Sequence, residues 1–165
     1  MASKLVISNT TPLLNFAQIG RLDLVYRLFG QVVIPAAVAS ELAAKPVLFP
    51  EAAKVPLCAD IVHMVPADSL LVGSLARQVH QGEAECLALA MEHPGALLLL
   101  DDLAAREIAG ANRLHFTGTL GCLMMAKQRG LLTHIRPLLA DLKEKARFWL
   151  SAELGDRVLR EVGEL

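Results

Sequence analysis

Five short apolar runs punctuate this 165-residue chain, and a helix-periodic segment follows each of them. Lys4–Ser8, Gln31–Ile34, Asp60–Val65, Ala96–Leu100 and Leu114–Thr117 read as strands. Thr11–Leu28 reads as a helix, or a helix pair broken near Gly20, and Pro35 opens another that runs to about Ala44. Lys45–Pro56, with its prolines, reads as a loop or a loose helical excursion. Asp68 and Ser69 cap a helix that sets Leu70, Leu71, Leu75 and Val79 on one side. Gly82 and Glu83 start a helix through about Glu92, and Leu103–Ala111 is helical. The stretch "GTLGCLMMAKQRG" forms a helix stopping at Gly130, and Ile135–Ala146 and Ser151–Val162 close the chain. Strands alternating with helices in this way need crossover connections, which means a parallel sheet with right-handed crossovers. In such sheets ligands bind beyond the carboxyl ends of the strands, so the residues that end each run carry the functional information.

The bulk properties narrow the class. The length fits one domain over residues 1–165. Hydrophobic residues make up 54% of it, more than is usual for a soluble protein of this size. Yet the longest apolar run is far short of the roughly 20 residues a bilayer span needs, so no membrane role is expected. No charged, apolar and cleavage-site succession opens the chain, so secretory export is not expected either. Cys58, Cys86 and Cys122 are isolated and odd in number, and lack CxxC spacing. They read as small hydrophobes in a reducing cytoplasm, not as zinc ligands or disulfides. The apolar excess fits a sheet covered on both faces, or in part an oligomer interface. Net charge is −1, which argues weakly against a nucleic-acid partner. Residues 127–147, however, carry Lys127, Arg129, Arg136, Lys143, Lys145 and Arg147 against Asp141 and Glu144. That segment is locally positive, as a solvated helix face or a track for a nucleic-acid backbone.

Oxygen ligands gather where strands end and helices begin. Asn9 follows the first strand in "VISNTTPLLNF", Asp101 and Asp102 follow the most apolar one, and Thr117 and Thr119 end the last. Glu41 lies two turns into an otherwise apolar helix, and Glu83 and Glu85 open another. Each has a plain structural reading: an Asx-turn for Asn9, a helix cap for Asp101 or Asp102, an exposed helix residue for Glu41, and a favourable helix-dipole position for Glu83 and Glu85. Grouped around one sheet edge, however, these carboxylates would repel one another unless a cation lay among them. An oxygen-only set suits Mg²⁺ or Mn²⁺, ions that activate water for phosphodiester cleavage.

Over nearly its full length the chain resembles the PIN-domain nucleases. The stretches that carry the resemblance are, in order, "VISNTTPLLNFAQIGRLDLVYRLFG", "VVIPAAVASEL", "GEAECLALA", "LLLLDDLAAR" and "GTLGCLMMAKQRGLL". The resemblance implies a three-layer α/β/α sandwich around a short central parallel sheet. It implies a Mg²⁺- or Mn²⁺-dependent endoribonuclease, frequently the toxin of a prokaryotic toxin–antitoxin pair and commonly a homodimer. RNA and a small antitoxin protein are then the expected partners. Position by position, the family acids fall on Asn9, Glu41, Glu83 and the Asp101–Asp102 pair, with Asp102 the better match. Glu41, Glu83, Asp102 and Asn9 would hold the metal, and Asp101 would assist. Thr11 and Thr117 or Thr119 match hydroxyls that support the site. The first acid of the family is usually Asp, so Asn9 keeps a ligand oxygen but brings no charge. Arg106, one turn beyond Asp102, either holds a scissile phosphate or pairs with Asp102, and Lys127 and Arg129 are candidate RNA contacts. Two other classes are compatible with these residues. One is a catalytically weak module that binds RNA or protein; the other is a phosphoacceptor domain with paired aspartates at a strand end.

Overall fold

The computed structural model describes residues 4–45 and 49–165. Strands β1 (Val6–Ser8), β2 (Val32–Ile34), β3 (Ile61–His63), β4 (Leu97–Leu99) and β5 (His115–Thr117) form one all-parallel sheet in the order β3-β2-β1-β4-β5. Ile7 sits in register with Val33 on one side and Leu98 on the other, and Leu98 with Phe116 beyond it. The helices are α1 (Thr10–Gln18), α2 (Leu22–Phe29), α3 (Ala36–Ala43), α4 (Ser69–Leu75), α5 (Gln81–Glu92), α6 (Leu103–Ala111), α7 (Thr119–Gln128), α8 (Arg136–Lys145) and α9 (Ala152–Glu161). A 3-10 helix covers Ala52–Leu57.

Helix α1 packs against α2, α7 and α8, while α5 packs against α3, α4 and α6 and against β1 and β4. The result is a three-layer α/β/α sandwich. Burial on both faces explains why the strands read as continuous apolar runs with no alternation. Ile7, Ile34, Leu98, Leu99 and Leu100 have no exposed surface. Each such side chain stabilises the fold by about 1.5–3 kcal/mol.

Several boundaries differ from the sequence expectation for local reasons. Each strand keeps only three ladder residues, although single backbone bonds at the ends, Leu97 to Leu5, Met64 to Ile34 and Leu100 to Thr117, continue the pairing. The first helical segment is a pair, broken where Gly20 takes a positive φ of 68°. The proline-bearing stretch forms the 3-10 helix in its second half, while residues 46–48 of it lie outside the described residues. In α4 the expected apolar side is corrected: Leu75 is buried, but Leu70 is 86% exposed. The amides of Ala67 and Asp68 donate to Glu92 at the end of α5, and Asp68 accepts from Leu71. With α4 held in that rotation, Leu70 faces solvent.

The strand order also fixes where a site can form. From β1 the chain moves out to β2 and β3, and from β4 it moves the opposite way to β5. The direction reverses between β1 and β4, the crevice where open α/β sheets bind ligands. The Asn9 amide closes that edge by donating to the Leu99 carbonyl at 3.1 Å.

Candidate active site

Asn9 leaves β1 at this crevice and is 3% exposed. It occupies the cap position of α1, yet its side chain makes no capping bond. Its Nδ2 instead donates to Glu83 Oε1 at 3.4 Å, a long contact across 74 residues of sequence. Glu83 sits in the first turn of α5, and its second oxygen accepts the His80 amide at 2.9 Å. Burial pushes the Glu83 carboxyl above its ordinary pKa. The His80 hydrogen bond works against that rise, and the negative charge of Asp102 adds to it.

Glu41 comes to the same edge from α3. Its Oε2 accepts from Thr10 Oγ1 at 2.6 Å. Gly82 makes room for it: a Cβ there would lie 2.7 Å from Glu41 Oε1. The absence of a side chain at Gly82 thus lets the Glu41 carboxylate pack against the start of α5. Thr10, 3% exposed, is the hydroxyl that touches this acid. Thr11 is exposed and makes no side-chain hydrogen bond among the described residues.

The two aspartates after β4 divide their work. Asp101 is partly buried and accepts from the Thr119 amide at 2.8 Å, the Thr119 hydroxyl at 2.6 Å and Asn15 Nδ2 at 3.3 Å. Burial raises its pKa, while the Thr119 bonds and the Arg106 charge act the other way. Asp102 begins α6 and caps it, its Oδ1 accepting from the Ala105 amide at 2.9 Å. Glu83 and Asp102 line one cleft of about 300 Å³ together with His80 and Arg77. Asp102 therefore faces the open side of the cluster, and Asp101 ties β4 to α7. Glycines again permit the approach: a Cβ at Gly118 would lie 2.5 Å from Asp101 Oδ1, and one at Gly121 would overlap the Thr117 hydroxyl.

The basic candidates separate. Arg106 makes no ion pair with Asp102 among the described residues; its guanidinium lies over the Phe116 ring at 5.2 Å and lines a cleft with Asp101. Lys127 pairs with Glu164 at 2.6 Å, and Arg129 donates to the Leu28 carbonyl at 2.8 Å. Both stand at or just beyond the far end of α7, about 12–15 Å from its start at 1.5 Å per residue. Arg136 also donates to the Glu164 carbonyl, and Lys145 pairs with Asp141. Much of the positive segment 127–147 is thus spent on internal contacts away from the acidic edge.

A family model described as DUF3368, a PIN domain, matches residues 5–164. The chain belongs to the PIN-domain family. No curated protein and no solved structure matches it significantly. PIN domains are generally nucleases, so the fold is of nuclease type.

In this PIN domain the donors at the switch point are all oxygen, the chemistry a hard divalent cation takes. Glu83 and Asp102 repel one another, and Asn9 Oδ1 accepts no hydrogen bond among the described residues. The donor chemistry fits the ion, although among the described residues no three His, Cys, Asp or Glu side chains already converge on one point. Two contributors escaped the sequence reading. Thr10, not Thr11, reaches Glu41, and one position of a Thr-Thr pair carries no signal over the other. Asn15 bridges Asp101 and Thr119, and its signal was present: a lone amide among the buried Leu13, Leu14, Phe16 and Ala17 of α1.

Proposed function

We propose that this PIN domain is a Mg²⁺- or Mn²⁺-dependent endoribonuclease, the toxin of a prokaryotic toxin–antitoxin pair. The observation that carries the reading is the meeting of Asn9, Glu83 and Asp102 at the switch point, with Glu41 packed against Gly82, the residue before Glu83. Glu83, Asp102 and the Asn9 amide oxygen would hold the ion, with Glu41 completing the set. An ion held there would supply a water of lowered pKa and offset charge on a phosphate. Glu83, whose charged form burial and Asp102 disfavour, would have that charge offset by a cation beside it. Arg106, held over Phe116, is free to donate to a phosphate oxygen. Asp101 holds Thr119 and thereby the start of α7, a positioning role.

The toxin assignment and an antitoxin partner rest on the family resemblance; the homodimer rests on that and on the apolar excess, and a cytoplasmic location on the isolated cysteines. No helix among the described residues is long and apolar enough to cross a membrane. One observation favours a second reading, an RNA- or protein-binding module with weak catalysis: an amide, Asn9, stands where the family usually has a carboxylate. Incubating mixed RNA with the protein in Mg²⁺ or Mn²⁺, with an EDTA control and the Glu83→Gln variant, separates the two. Cleavage confined to wild type with metal supports the nuclease; retention of RNA without cleavage supports the module. A small reading frame beside the gene would support the toxin role.

A further inference from the structure

We propose that the cleft lined by α7, α9, the end of β5, Arg106 of α6 and the link between α8 and α9 is a subsite for one unstacked nucleotide of single-stranded RNA. Trp149 stacks on the base, and Arg106 and Arg157 hold its phosphate. The inference rests on the ribonuclease reading above and names where the strand continues from the acidic edge.

Three observations carry it. First, Trp149 is 82% exposed, an uncommon state for the largest apolar side chain. Its neighbour Leu150 is buried, lying 3.7 Å from where a Gly155 Cβ would stand, and Ser151 caps α9 by accepting from Leu154. The indole is therefore offered to solvent by a backbone pinned immediately after it. Second, Trp149 and Arg157 line a cleft of about 550 Å³ together with Arg106 and Asp101. That volume lies within the roughly 300–1,000 Å³ of small-ligand sites. Third, neither Arg106 nor Arg157 has a carboxylate partner within ion-pair distance among the described residues, so both guanidiniums are available to an anion.

Charge and shape choose the occupant. An aromatic face beside guanidiniums is how proteins hold single strands: bases stack, and the cations track the backbone. Duplex RNA hides its bases, so the stack requires an unpaired nucleotide. Asp101 and Glu161 also line the cleft, and Arg106 already acts on the Asp101 charge, so the two guanidiniums offset these carboxylates as well as facing the phosphate. Continuity supports the same occupant, because Asp101 directly precedes Asp102 of the proposed metal set. Lys127 and Arg129 of the positive segment are held internally, whereas Arg106 and Arg157 at this cleft make no ion pair among the described residues.

Trp149 is the sole tryptophan, so intrinsic fluorescence reports on this one position. The full chain is titrated with hexaadenylate in EDTA, so that neither metal nor cleavage enters. The anisotropy of a labelled copy gives affinity for wild type, Trp149→Ala, Trp149→Phe and Arg157→Ala. Expected are saturable quenching, a weakening of about 10-fold for Trp149→Ala, and recovery to within about 3-fold for Trp149→Phe. Arg157→Ala should weaken binding and lower the salt slope by about 1. Binding without quenching, or with Trp149→Ala equal to wild type, overturns the subsite while leaving the ribonuclease reading standing. Absence of binding, equal quenching by duplex RNA, or quenching by an acidic peptide but not by RNA also overturns it. Saturable quenching in a protein that cleaves nothing with metal would uphold the subsite and remove the nuclease.

Discussion

Adjacent aspartates with opposite duties give a sharp prediction. Asp101→Asn should destabilise the protein, and Asp102→Asn should leave its stability almost unchanged. Asp101 accepts from the Thr119 amide, the Thr119 hydroxyl and Asn15. An asparagine there keeps one acceptor but turns an amide nitrogen toward the Asn15 nitrogen. Hydrogen bonds to a charged group contribute about 1.5–3 kcal/mol, against about 0.5–1.5 for neutral pairs, so the loss is about 1 kcal/mol for each weakened bond. Removing a partly buried charge returns part of it, because desolvation is the largest influence on the Asp101 carboxyl. The net expectation is a loss of about 1–3 kcal/mol. Asp102 makes one capping bond, to the Ala105 amide, and asparagine caps a helix about as well. Its change should stay within about 0.5 kcal/mol. Urea unfolding at pH 7, followed by far-UV circular dichroism with metal chelated, measures both. If Asp102→Asn costs as much stability as Asp101→Asn, the division of labour is wrong.

Other consequences are testable in the same way. Gly118→Ala and Gly121→Ala should each cost about 1–3 kcal/mol in urea unfolding, because a Cβ at either meets the Asp101 or Thr117 oxygen. Unaltered stability would show that these glycines are incidental. Glu164 has a 5% exposed side chain; burial raises its pKa, but Lys127 and the Ile135 and Arg136 amides outweigh that and hold it at about 2. From the ordinary 4.5 that shift corresponds to about 3 kcal/mol; screening near the surface reduces this to about 1–2 kcal/mol. The stabilisation is therefore present above pH 4.5 and lost as pH falls toward 2, and Glu164→Gln should remove that acid-side slope. Glu83 is shifted the other way, so the folded protein binds its proton more readily than the unfolded chain. In EDTA, stability should then fall as pH rises from 4.5 through the raised value, and the slope should flatten in Glu83→Gln. A homodimer predicts twice the chain mass by light scattering at micromolar concentration, and a monomeric mass would remove it.

The architecture was legible because both faces of the sheet are covered. "ALLLL" before Asp101 and Asp102 can hardly be anything but a buried parallel strand ending at a site, and the same holds for "VVI" before Pro35. Strand order, and with it the switch point, is a long-range property that no local pattern encodes. For that reason the sequence could nominate Asn9, Glu83 and the aspartate pair but could not say that Asn9 bonds to Glu83 instead of capping α1. Nor could it divide Asp101 from Asp102, since which of two adjacent residues turns inward depends on the register of β4 against β5. Leu70 misled because its helix is short and tied at its start by Glu92, so periodicity alone mistook its rotation. Trp149 carried no pattern at all: an aromatic in a short link has neither helical nor strand neighbours to align with.

The most direct test of the acidic edge as a metal centre is calorimetric titration of Mn²⁺ into wild type, Asn9→Asp and Asp102→Asn. Affinity for a hard cation follows the charge and number of its ligands. Wild type should therefore bind weakly, Asn9→Asp should bind about 10-fold more tightly, and Asp102→Asn should lose the heat of binding. All three side chains keep nearly the same shape, so a difference reads chemistry and not folding. The same Mn²⁺ affinity in all three proteins would contradict the account, because a cation bound elsewhere is indifferent to the charge at Asn9 and Asp102.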